Sequence, residues 1–93
     1  MKIIVTSDIH RKKEIINKLL YEHDADMYLD CGDSELSEYE LKNFLSVRGN
    51  CDYEWFPSYR IIKISDKYNI FITIIYFYHT ILLYHVYFSI FKQ

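Results

Sequence analysis

Apolar and polar positions along this 93-residue chain fall into short blocks of two periods. Lys2 to Ser7 is a β-branched run without alternation, the pattern of a parallel strand buried on both faces. Arg11 to His23 changes period. Ile15, Ile16, Leu19 and Leu20 share one helical face, and Lys12, Lys13, Glu14, Lys18 and Glu22 supply the wet one. Asp26 to Asp30 returns to a strand, so residues 2 to 30 predict one βαβ unit, which should be right-handed. Ser34 to Asn43 is acidic, with Leu36, Tyr39 and Leu41 as its main apolar positions, and predicts a short irregular helix. Phe44 to Val47 predicts a third strand, and the alternating Tyr59 to Ser65 a fourth. Asp66-Lys67-Tyr68-Asn69 predicts a turn, with a further strand from Asn69 onward.

The last third breaks this pattern. Tyr68 to Phe91 contains no Asp, Glu, Lys or Arg and is dominated by Ile, Tyr and Phe. It is long enough for a membrane span of about 20 residues. Its Tyr and β-branched residues run throughout, however, whereas membrane belts place aromatics at the two interfaces. A β-rich segment without partner strands, prone to self-association, fits this content better than an anchor.

Composition narrows the class. Ninety-three residues make one small domain with a modest core, or part of a larger one. A formal net charge of −2 carries no basic stripe for nucleic acid. Cys31 and Cys51 form no Cys-x-x-Cys pair, and the opening residues lack the apolar core of a secretory signal. A reduced, cytoplasmic protein is expected, and the cysteine and histidine spacing does not suit a zinc knuckle.

Candidate chemistry sits just past the predicted strands. Asp8 and His10 follow the first, Gly32-Asp33 the second, and Gly49-Asn50-Cys51-Asp52 the third. In open α/β sheets, ligands collect outside the carboxyl ends of parallel strands. Carboxylates, an imidazole and an amide delivered to one such edge read as the metal shell of a hydrolase. Taken singly, Asp8 could be a cap, His10 a surface histidine, and Gly-Asp or Gly-Asn an ordinary turn pair. Their order behind apolar strands gives the set its weight.

Asp8-x-His10, Gly32-Asp33 and Gly49-Asn50-Cys51-Asp52 resemble the calcineurin-like metallophosphoesterases. The closer resemblance is to the small bacterial and archaeal phosphodiesterases in which Gly-Asn-Cys-Asp replaces Gly-Asn-His. The resemblance runs from Met1 to about Lys67 and implies the N-terminal half of an αββα sandwich over 1–67, with 68–93 as an apolar tail. It further implies two divalent ions, Mn foremost with Fe, Zn or Ni as alternatives, and a small phosphodiester substrate. Asp8 and His10 would hold the first ion, Asp33 would bridge, and Asn50 would hold the second. Cys51 would stand where many relatives carry a leaving-group histidine, and a thiol of pKa about 8.5 is a poor substitute. It could equally be a small buried hydrophobe. Asp52 should fix its loop by accepting backbone hydrogen bonds.

The later His-Gly-His and Gly-His-x-His motifs of that family are absent. His79 and His85 lie in the wrong local sequence and read as ordinary histidines of an aromatic segment, though replacement of a missing ligand stays open. The expectation is therefore a truncated or frame-disrupted phosphodiesterase with an incomplete metal shell and impaired activity. Two rivals remain: a non-catalytic remnant that binds only a metal or partner, and a tail-anchored membrane protein.

Overall fold

The computed structural model describes residues 2–74 and the backbone of 86–89. Strand β1 (Lys2–Thr6) is followed by helix α1 (Lys13–Glu22), then β2 (Met27–Asp30) and the two-residue β3 (Leu45–Ser46). Strands β4 (Tyr59–Lys63), β5 (Asn69–Thr73) and β6 (Val86–Ser89) complete the order. A four-stranded sheet runs β3-β2-β1-β6, and β4 and β5 form a separate two-stranded hairpin. β1 pairs parallel with β2, and β2 parallel with β3, so the expected βαβ start is present. β6 lies antiparallel on the other side of β1, with Ile4 opposite Tyr87.

Alternation along the strands sorts the core into two clusters. Ile3 and Leu29 turn one way, with Cys31 and Val47 beyond the strand ends, and meet Ile62 and Ile72 of the hairpin. On the opposite face Ile9, Ile16, Leu36, Leu41 and Phe44 pack together, with Tyr28 and Leu20 against them. The described layers are therefore helix, sheet and hairpin, a mixed α/β arrangement that begins with the expected βαβ unit. The division expected at residue 67 falls in the turn between β4 and β5.

Two elements depart most from the periodicity, while the strands run one or two residues shorter than expected at several ends. The helix starts at Lys13, not Arg11, because His10 and Arg11 are left-handed, with φ of 45° and 66°. Residues 34–43 form no helix. Ser37 and Glu40 do make a reciprocal capping box: the Ser37 N–H donates to Glu40 Oε1 (3.0 Å) and the Glu40 N–H to Ser37 Oγ (3.1 Å). Only one turn follows, because Leu41 and Phe44 are drawn into the core and Phe44 leads straight into β3. Among the described residues, no helix is long and apolar enough to cross a membrane. His79 and His85 lie outside the described residues, as does much of the segment expected to self-associate.

Candidate metal-binding edge

The loops after β1, β2 and β3 leave the same edge of the sheet and are stitched together through the backbone. The Asp8 N–H donates to the Gly32 carbonyl (3.1 Å), that of His10 to Asp33 (3.0 Å), and that of Arg11 to Ser34 (2.7 Å). To make these bonds the chain reverses its local handedness. Asp8, His10, Arg11, Asp33 and Glu35 all have φ between 45° and 66°. Left-handed residues other than glycine are strained, and they persist where surrounding structure over-determines them, commonly at functional sites. The chain's only two glycines cross here. A Cβ on Gly32 (φ 99°) would lie 3.1 Å from the Gly49 nitrogen.

Asp52 is the clamp. Its buried carboxylate accepts from the backbone N–H groups of Asp33 (3.0 Å), Glu35 (2.8 Å) and Gly49 (2.6 Å). One side chain thus joins the β2 and β3 loops, as expected for this position.

The candidate ligands are arranged around that clamp. Asp8 is buried, accepts from the Ser7 hydroxyl through Oδ2 (2.8 Å), and holds Oδ1 at 3.7 Å from His10 Nε2. The other nitrogen of His10, Nδ1, is 2.9 Å from Glu35 Oε2. A carboxylate there requires the proton on Nδ1, so a neutral ring presents its Nε2 lone pair on the Asp8 side. An imidazole oriented by a carboxylate on its far nitrogen is the usual support of a metal-bound histidine. Asp33 is buried, and its Oδ1 accepts from the Cys51 N–H at 2.9 Å. Asn50 sits beside Gly49 on the β3 loop with its side chain exposed.

Cys51 is exposed, which overturns its reading as a small buried hydrophobe. Desolvation, then the carboxylates of Asp33, Glu35, Asp52 and Asp8, push its thiol upward. Glu35 carries no sequence signal of its own. It is a glutamate in an acidic segment, and its role follows only from the reversed backbone at Asp33 and Glu35.

Below the edge lies a buried polar row. Thr6 pairs with Asp30, and Asp30 with Ser46, across three adjacent strands. Thr6 donates to Asp30 Oδ1 (3.1 Å), while Asp30 Oδ2 and Ser46 Oγ have no hydrogen-bond partner among the described residues. Burial, opposed by Thr6 and Gly32 and reinforced by Asp52 and Asp33, lifts the Asp30 carboxyl to about 7.

The donor set of two carboxylates, an imidazole lone pair and an amide suits a divalent metal ion. The edge is no ready-made cage, since among the described residues no three His, Cys, Asp or Glu side chains group closely enough to hold one.

This architecture, with its polar groups at the carboxyl ends of three parallel strands, is that of α/β proteins whose strand-end loops gather ligands. The calcineurin-like phosphoesterase superfamily domain matches residues 1–87, and the chain belongs to that family. Calcineurin-like phosphoesterases generally use divalent metals. An uncharacterised protein of Streptococcus pneumoniae TIGR4, described as a predicted phosphoesterase, is similar at 26% identity and TM-score 0.69. That match covers 77% of this chain and 44% of the pneumococcal one. Yfce, a phosphoesterase from E. coli, is similar at 22% identity and TM-score 0.59, over 78% of this chain and 57% of that one, and bears on the fold alone. The chain thus spans about half the length of the solved structures it resembles. No curated protein matches it.

Proposed function

We propose that this chain carries the metal-holding edge of a divalent-metal-dependent phosphoesterase acting on a small phosphodiester. The observation that carries the reading is the His10 ring, pinned by Glu35 at Nδ1 with Nε2 turned toward Asp8. Asp8 and His10 would hold one ion, Asp33 would bridge, and Asn50 would hold a second. Mn is the preferred ion on this donor set, with Fe, Zn or Ni as alternatives. Bound divalent ions lower the pKa of a coordinated water and draw charge from the phosphoryl oxygens.

The chain's own residues set the geometry. Glu35 fixes the tautomer and tilt of His10. Asp52 holds the Asp33 and Gly49 loops at a fixed separation, and the Cys51 N–H fixes the Asp33 carboxylate. Two unpaired cysteines, one buried and one exposed, fit a reducing, cytoplasmic setting.

A second reading, a binding-only protein, is favoured by the open grouping of the acidic and imidazole ligands. Electron paramagnetic resonance of added Mn²⁺, run beside hydrolysis of bis(p-nitrophenyl) phosphate, separates the two. The proposal expects bound Mn²⁺ and metal-dependent turnover, both lost in Asp33→Ala. Bound Mn²⁺ without turnover supports the second reading, and absence of both refutes each.

A further inference from the structure

Beside Asn50 the edge opens into a cavity of about 590 Å³ whose walls include Arg48, Gly49, Trp55 and Phe56. That volume is in the range that takes a small organic ligand. Its composition is unlike the carboxylate-rich side of the edge. The Arg48 guanidinium lies 4.5 Å from the centroid of the Trp55 ring, and that indole is 87% exposed. The Arg48 N–H donates to the Pro57 carbonyl (2.8 Å), which ties the strand-end loop to the segment carrying the tryptophan. The platform therefore stays in register with Asn50, two residues beyond Arg48.

An exposed indole leaves a large apolar surface in water, and a flat aromatic group stacked on it would cover that surface. A guanidinium beside the ring adds fixed, planar donors suited to phosphoryl oxygens. Together they select a molecule that is anionic at one end and aromatic at the other. We propose that Arg48 and Trp55 form the specificity subsite of this edge, and that its substrates are small phosphoesters bearing an aromatic ring, a nucleobase or aryl group. The proposal rests on the reading of the Asn50 edge as a phosphoester site. A polymeric nucleic acid is disfavoured by the net charge of −2.

The test is calorimetric binding of methyl phenyl phosphate and dimethyl phosphate to the full chain with Mn²⁺. The phenyl diester should bind about tenfold more tightly, the scale of one stacking contact. Trp55→Ala should erase that preference and leave dimethyl phosphate affinity unchanged, while Trp55→Phe should retain most of it. Arg48→Gln should weaken both esters. Because the chain has a single tryptophan, bis(p-nitrophenyl) phosphate should also quench its fluorescence, a readout that needs no variant. Equal affinity for the two esters, or a preference that survives Trp55→Ala, overturns the subsite while leaving the phosphate site standing. Failure of both esters to bind removes the phosphate site and the subsite with it.

Discussion

The strand-end loops and the β4–β5 hairpin are built on opposite terms. The loops gather left-handed residues, buried carboxylates and backbone bonds between segments far apart in sequence. The hairpin is regular, with Ile62 and Ile72 inward and Tyr59, Ile61 and Phe71 outward in the strict alternation of a two-stranded sheet. Stability in the hairpin should reside in apolar burial, and in the loops in a few charged acceptors. The loops tolerate strain that local propensity alone would reject, which is what a preorganised site requires.

Asp52→Ala should break this contrast most severely. It strands three backbone N–H groups now bonded to one carboxylate. At about 1–3 kcal/mol for each buried unsatisfied group, denaturant unfolding should show a loss of at least about 3 kcal/mol. Asp52→Asn, which keeps an acceptor oxygen, should lose roughly half as much. A change within about 0.5 kcal/mol for Asp52→Ala would mean that the loops hold their shape without the clamp.

Asp30 gives the loops a pH signature that the hairpin lacks. Its folded carboxyl is raised from 3.8 to about 7, chiefly by burial, so the folded state keeps a proton that the unfolded chain releases. The associated stability is complete below pH 3.8 and drains away as pH rises toward about 7. Asp30→Asn should leave stability near pH 4 unchanged and raise it at pH 8, by on the order of 4 kcal/mol if the whole shift is expressed. Parallel unfolding curves for the two proteins across that range would remove the buried carboxyl from the account.

The hairpin should respond by face. Ile62→Ala opens a hole against Ile3, Leu29 and Val47 and should cost about 2–4 kcal/mol. Ile61→Thr, on the exposed face opposite Phe71, should cost less than about 1 kcal/mol. Equal losses at the two positions would show that the outer face is covered in solution.

The same contrast explains what could be read from the residues. The Lys2–Thr6 strand follows from an unbroken β-branched run buried on both faces, and the Ile16/Leu19 face and the hairpin from local periodicity, because each of these buries one side against a neighbour. The helix start was misplaced because the conformation of His10 and Arg11 is imposed by the carbonyls of Asp33 and Ser34, more than twenty residues away. The turn at Ser37–Phe44 carries a genuine capping signal, but tertiary burial of Phe44 halts it after one turn. The pairing of β6 with β1 was invisible in a tail that is apolar at nearly every position, where no alternation sets a register. Asp8, His10, Asp33 and Asn50 stand out in the sequence as candidates because each follows a strand. Glu35, Arg48 and Trp55 do not, since the contacts that single them out form only in the folded chain.

The central claim is that the loops after β1, β2 and β3 form one divalent-metal edge, and thermal unfolding with and without Mn²⁺ tests it most directly. Mn²⁺ bound to the native state should raise Tm by mass action, by an amount that grows with metal concentration. Asp33→Ala should abolish the rise more completely than Asn50→Ala, because Asp33 in its proposed bridging position would serve both ions. A melting curve of the unmutated chain that does not move with saturating Mn²⁺ would contradict the account.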